Sequence, residues 1–471
     1  FFIAGNIEKK AKGYTEKKYI TDDYFVPKAQ YLPKISEIAL PETEIIQKIS
    51  QTAIAFDSIA NFAEESFLER VGEAKVVLFG EASHGTSEFY LMRQQLTKAL
   101  IEKKGFNIVS TEADWPDMEL VNNYVQGSPE EKPGTIPFKR FPHWMWRNLE
   151  FMDFMEWLKK YNATHSKKVA IYGLDLYGLE NSLNHVVRFL ENKDSEITAL
   201  AKKHYSCISP FLQEPAEYGK MVLTRQIESC EAEVLQMLLK LLKERERLNH
   251  SPAYFYACQN ARLIVDAERY YRIMYYGGAD SWNLRDLHMF YTLKSLLTFH
   301  GSDSKAVVWA HNSHIGNALA TQMYARGEIN IGHLCRETFG ERSYHVGFGT
   351  HTGTVAAADE WGGAMKIKQV NPSLPASYEN LSHQTGIKNF SLPLRHSPEV
   401  LKQSLSHPKL ERAIGVIYRP DTERISHYFH ASLSNQFDEY IWFDTTQAVN
   451  ALAEAKEPLE LPMLHPFAAI D

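Results

Sequence analysis

Two short strings in this sequence carry acid–base chemistry. Gly80-Glu81-Ala82-Ser83-His84-Gly85 sets a carboxylate three residues ahead of an imidazole, and His311-Asn312-Ser313-His314 sets two imidazoles three residues apart. A histidine held by a carboxylate stays in one tautomer and accepts a proton near neutral pH, which as general base catalysis is worth ~10² to 10⁴ in rate. Arg93 cannot lose its charge, and its planar fork suits a carboxylate or the oxyanion of ester cleavage. The inventory fits water attack on an ester or related acyl group. Glu81, His84, Arg93 and His311 are the expected catalytic groups, with His84 as base oriented by Glu81, His311 placing the water or ester, and Arg93 on the oxyanion. Glu112, His314, Trp144 and Asp175 are the expected substrate-side residues. On this reading Glu81 and His84 belong to a polar rim and contribute little to the core.

Each residue has a plainer reading. Glu81 could cap a helix N-terminus, His311 and His314 could be rim histidines satisfied by backbone carbonyls, and Asp175 could hold loop amides. Ser83 stands in Gly80-x-x-Ser83-x-Gly85, not in the G-x-S-x-G elbow of a nucleophilic serine. His84, His311, His314 and a carboxylate are the right types for a divalent hydrolytic metal, although H-x-x-H after a strand lacks the helical register of H-E-x-x-H. No cofactor is required. Phe141-Pro142-His143-Trp144-Met145-Trp146 could line a pocket for a large, partly apolar substrate or simply pack.

These groups need a common scaffold. Lys75–Phe79, Phe106–Thr111, Val169–Tyr172 and Ala306–Ala310 are short apolar runs, as strands covered on both faces require. Between the first two, Phe89, Met92, Leu96, Ala99 and Leu100 mark one helix face ending at Gly105, which makes a parallel strand–helix–strand unit. In parallel sheets, ligands gather outside the carboxyl ends of the strands, where Glu81, His84, Glu112, Asp114, Asp175, His311 and His314 all fall. Tyr344–Phe348, Ala413–Tyr418 and Tyr440–Phe443 read as further strands, and Ile45 to Phe67 as one or two helices. Between about Leu183 and Phe299 the period turns helical, with one long helix over Val222–Leu248. The fold class expected is α/β: a parallel or mixed central sheet flanked by helices, with a large helical insertion capping the rim. The expected division is an N-terminal arm over 1–40, a first core part over 41–182, the insertion over 183–299 and a second core part over 300–471.

Composition narrows the partners. A chain of 471 residues exceeds the ~250 to 300 at which one core usually stops growing, and 44% hydrophobic with 23% charged residues is an ordinary globular mix. The net charge of -7, without a basic run, argues against nucleic acid. No run of ~18 apolar residues exists to span a membrane. Cys207, Cys230, Cys258 and Cys335 form no C-x-x-C pair and read as ordinary thiols. The sequence begins at Phe1 without an initiator Met, so an upstream piece is expected to have been removed, and localisation stays open between cytoplasmic and secreted. A small-molecule ester is the expected partner, and a monomer or homodimer the expected state.

The strings at Gly80–Glu88, Gly105 to Glu112, Val121–Gly127, Gly173–Asp175 and Trp309–His314, together with Arg93, resemble in order those of the erythromycin esterase family. The resemblance covers about residues 70 to 450. It implies an α/β core with a helical insertion and cleavage of a macrolactone by water, without a covalent enzyme intermediate, as in macrolide antibiotic resistance. It links Glu81, His84 and His311 to water activation, and Arg93 and His314 to support of the site or lactone binding. Glu112 falls where members vary. Related chains carry the label succinoglycan biosynthesis protein, and a similar fold binds haem, so a non-enzymatic ligand-binding role is the alternative.

Overall fold

A computed structural model describes residues 40–128, 138, 140–248 and 251–452. The expected arm over 1–40 therefore falls, but for Leu40, outside the described residues.

The centre is a nine-stranded mixed sheet. Its strands are β1 (Ile54–Ala55), β2 (Val76–Phe79), β3 (Ile108–Asp114), β4 (Ala170–Asp175), β5 (Ala306–Trp309), β6 (Ser343–Ala357), β7 (Lys366–Val370), β8 (Asn389–Leu392) and, after a separate hairpin, β11 (Glu439–Thr446). The order is β1-β8-β11-β6-β2-β5-β3-β4, with β7 added to β6. From β11 through β4 all neighbours run parallel; β1, β7 and β8 pair antiparallel. β2 and β5 are apolar and buried along their whole length, because the sheet is covered on both faces. The remaining two strands, β9 (Lys409–Arg412) and β10 (Tyr428–Ala431), form the hairpin.

Register brings the expected groups to one rim. Phe79 lies opposite Trp309, and Trp309 opposite Thr111, so β2 and β5 end level with Thr111, near the end of β3. Gly80-Glu81 and Ala310-His311 leave the sheet beside Glu112, which sits at the irregularity near the end of β3. Thr111 also faces Gly173, which sets Asp175 just beyond. Glycine is needed where the loops cross: a Cβ on Gly80 would stand 2.0 Å from Asn312 Oδ1, and one on Gly85 2.0 Å from the Ala356 carbonyl oxygen.

The helix after the first loop spans Ser87–Lys104 and stops at Gly105, whose φ of 71° is left-handed, as helix ends favour. The helical insertion runs between β4 and β5, from the helix Leu179–Glu191 to the helix Asp280–Phe299. Three expectations need correction. Val222–Leu248 is not one helix; Pro215–Leu223 and Glu231–Lys243 are separate. Cys207 and Cys230, which flank the helix Pro215–Leu223 in sequence, are paired as a disulfide, while Cys258 and Cys335 are free and buried. Ala413–Tyr418 forms no strand: Ile414 bridges Ser83 and Ile417 bridges Ala358, so the run is apolar because it is buried, not because it is laddered.

Candidate active site

Glu81, the second residue beyond β2, divides its two oxygens. Oε1 meets His84 Nδ1 at 2.8 Å and Oε2 accepts from Arg93 Nη2 at 2.6 Å. An ionised carboxylate only accepts, so His84 carries its proton on Nδ1 and, when neutral, keeps the lone pair on Nε2. At 8% exposure His84 is the least buried of the eight expected site residues, which suits a group that meets substrate.

Arg93 is fully buried. Its guanidinium lies between the rings of Tyr90, at 4.4 Å, and Trp309, at 5.0 Å. The Tyr90 hydroxyl in turn donates to the Met145 carbonyl at 2.5 Å. Arg93 thus meets Glu81 from within the core. Glu81 itself is 0% exposed, so it belongs to a buried ion pair and not to a rim that the core could ignore.

His311 follows β5 and caps the short helix Asn312–Ile315. Its Nδ1 accepts from the Ser313 backbone N–H at 3.2 Å and meets the Ser313 hydroxyl at 2.8 Å. A nitrogen that accepts a backbone N–H bears no proton, so neutral His311 carries its proton on Nε2. That Nε2 is buried and makes no well-aligned hydrogen bond among the described residues, while the nearby Ala82 carbonyl favours a proton on the ring. Burial, and then the charge of neighbouring His84, push His311 well below the usual imidazole range, which keeps it neutral. The His84 and His311 rings lie 4.9 Å apart, tilted by 50°.

His314 is engaged on both nitrogens. Asp286 lies at 2.9 Å from Nδ1 and Glu112 at 3.2 Å from Nε2, and the ring stacks on Trp282 at 4.4 Å. Burial opposes its protonation, but Asp286 and then Glu112 overrule it and raise His314 to about 9. Burial likewise pushes Asp286 up against the pull of His314; the proton stays on the imidazole because a second carboxylate flanks its other nitrogen. For His314 to ligate a metal, one of the two carboxylates would have to give up its ring nitrogen. Among the described residues no group of three or more His, Cys, Asp or Glu is arranged to hold one.

Glu112 is held from three sides. Arg285 Nη2 donates to Oε1 at 2.7 Å, His314 lies against the same oxygen, and the His311 backbone N–H donates to Oε2 at 2.9 Å. Burial works against its ionisation, yet His314 and Arg285 hold it well below the usual carboxylate range. Asp175 accepts from Arg285 at 2.6 Å and 3.0 Å and from the Leu176 N–H at 2.9 Å. Trp144 is 1% exposed and packs against Phe141 and His143. Its neighbours reach the site instead: Trp146 Nε1 donates to the Glu112 carbonyl at 3.2 Å.

Sequence reasoning missed Trp282, Arg285 and Asp286. All three sit on the helix Asp280–Phe299, whose residues are buried on every side at its centre. Their burial requires that the charges be paired, a requirement the sequence does not display, because charges on a helix ordinarily read as a solvated face.

Sheet, insertion and rim together define an α/β protein whose strand-end cleft gathers acid–base groups. The chain belongs to the erythromycin esterase family, whose model matches residues 101–446, and membership supports hydrolase chemistry. It is 21% identical to erythromycin esterase type II of Escherichia coli over 75% of this chain and 88% of that protein. Two solved structures share the fold. A succinoglycan biosynthesis protein matches with a TM-score of 0.73 at 22% identity, over 87% of this chain and 98% of that one. An erythromycin esterase mutant, EreC in its open conformation, matches with a TM-score of 0.64 at 17% identity, over 88% and 98%. Among the described residues no helix is long and apolar enough to cross a membrane.

Proposed function

We propose that this chain hydrolyses a carboxylic ester, a macrolactone or a smaller lactone, by direct attack of water. The observation that carries the reading is the opposite proton placement on two neighbouring rings: a lone pair on His84 Nε2 and a proton on His311 Nε2.

The chemistry then divides between them. His84 Nε2 takes a proton from water as the oxygen adds to the ester carbonyl carbon. His311 Nε2–H donates to the carbonyl oxygen as it becomes an oxyanion, a role suited to a neutral imidazole whose N–H has no well-aligned partner. The intermediate collapses, the carbon–alkoxy bond breaks, and the leaving oxygen receives the proton back from His84. Glu81 fixes the His84 tautomer and steadies the imidazolium that forms. Arg93 acts through Glu81 as a positioning residue, and so replaces its expected role at the oxyanion, because its guanidinium faces the buried side. His314, Glu112 and Asp175 hold the His311 loop instead of touching substrate, and Trp144 supports the wall from within.

The test is a mass-spectrometric screen of macrolides, simpler lactones and open-chain esters for products heavier by one water, with His84→Ala alongside. Conversion of at least one ester by the wild type, lost in the variant, supports the reading. No conversion across all three classes, or equal conversion by both proteins, sinks it.

A further inference from the structure

The helix Asp280–Phe299 comes from the insertion, yet two adjacent residues on it grip the rim. Arg285 spans three strand ends. Its Nη2 donates to Glu112 Oε1 near the end of β3 at 2.7 Å and to Asp175 Oδ2 at the end of β4 at 2.6 Å, and its Nε donates to Asp175 Oδ1 at 3.0 Å. Its Nη1 lies 3.1 Å from His314 Nε2 beyond β5, a cation contact that Glu112, touching both, offsets. Asp286 holds His314 Nδ1 at 2.9 Å and accepts from the Ile331 N–H at 2.9 Å. Glu112 then passes the grip to the catalytic loop through the His311 backbone N–H.

We propose that Arg285, with Asp286 beside it, is a positioning residue through which the helical insertion makes the active site competent. The proposal rests on the hydrolase reading above for its kinetic part and on geometry alone for its structural part. The run Asp175–Arg285–Glu112–His311 fixes where the His311 backbone stands, and with it the direction of Nε2–H. Arginine is needed for this. One planar fork reaches Glu112 and Asp175 together, whereas a lysine ammonium on a flexible stem meets one or the other. Sequence separation conceals the relation, since Arg285 stands 110 positions from Asp175 and 173 from Glu112.

Arg285→Lys keeps the charge and breaks the fork. Hydrogen–deuterium exchange over the amides of residues 311–315 is compared in wild type and variant, with kcat and KM on an ester that the wild type turns over. The expected result is a rise in exchange of about tenfold or more confined to 311–315, with β2 and β6 unchanged. Alongside it kcat falls by on the order of 10²-fold, as small misplacements of catalytic groups do, and KM stays within about threefold. Asp175→Asn, which weakens the same guanidinium from outside the loop, gives a smaller change of the same pattern and serves if Arg285→Lys does not fold. Unchanged exchange at 311–315, or a rise spread over the whole sheet, overturns the proposal. If the wild type cleaves no ester, the hydrolase reading fails and the exchange pattern still decides this one.

Discussion

His84 and His311 lie with ring centroids 4.9 Å apart, yet their partners place their protons on opposite nitrogens. The carboxylate of Glu81 draws the His84 proton to Nδ1, and the Ser313 backbone N–H keeps the His311 proton on Nε2. One ring is thereby set up as a base and the other as a hydrogen-bond donor. Neither assignment needs a cofactor, and both come from backbone and carboxylate groups built into the two loops.

His84→Ala is expected to lower kcat by ~10² to 10⁴ with little change in melting temperature, since the ring is the least buried of the site groups. Glu81→Gln behaves differently. It leaves fully buried Arg93 facing a neutral amide, and breaking a buried pair costs roughly 3 to 5 kcal/mol, so both turnover and unfolding free energy fall. Steady-state kinetics with urea titration on the two variants checks this, and equal stability losses in both would contradict it.

His311→Ala removes the proposed donor to the oxyanion and is expected to cost ~10² to 10³ in kcat. Ser313→Ala is milder, a few-fold at most, because the backbone N–H of residue 313 is retained and still donates to Nδ1. A Ser313→Ala loss as large as that of His311→Ala would contradict this, because it would make the hydroxyl as necessary as the imidazole.

The charge on His314 sets a pH window for stability. Its folded value of about 9 lies above the ordinary imidazole value of 6.5, so the protonated form is favoured by folding. The contribution, about 3 kcal/mol, is fully present below pH 6.5 and is lost as pH rises through about 9. Urea unfolding of wild type and His314→Asn should therefore show a stability gap that narrows between about pH 7 and about pH 10. A gap constant over that range would contradict the ion pair.

Much of this was legible in the sequence, for identifiable reasons. β2, β3, β4 and β5 are buried on both faces, so they announce themselves as apolar runs, and their aligned register then delivers Glu81, Glu112 and His311 to one rim. β1, β7 and β8 lie at sheet margins; β7 is mostly exposed, and such short or polar strands carry no comparable signal. Arg285 and Asp286 were not legible because charges on a helix ordinarily read as a solvated face, and no spacing rule ties them to strand ends more than a hundred residues earlier. The inward-facing role of Arg93 was equally hidden: it follows from rings on two elements, Tyr90 and Trp309, closing over the guanidinium.

Gly85→Ala is expected to fail structurally. The added Cβ meets the Ala356 backbone, with the carbonyl oxygen at 2.0 Å and the carbonyl carbon at 2.8 Å, and neither belongs to a side chain that can turn away. The cost is roughly 1 to 3 kcal/mol or more, visible as a lowered urea midpoint together with reduced turnover. A variant as stable as the wild type would mean that the loop and β6 are less tightly joined than described.

The division of roles between the two rings is tested most directly by long-range ¹H–¹⁵N correlation spectra of histidine-labelled protein near neutral pH, with His84→Ala and His311→Ala to assign the signals. The account predicts a neutral His311 protonated on Nε2 and a His84 whose Nδ1 is protonated. A His311 protonated on Nδ1, or on both nitrogens, would contradict it.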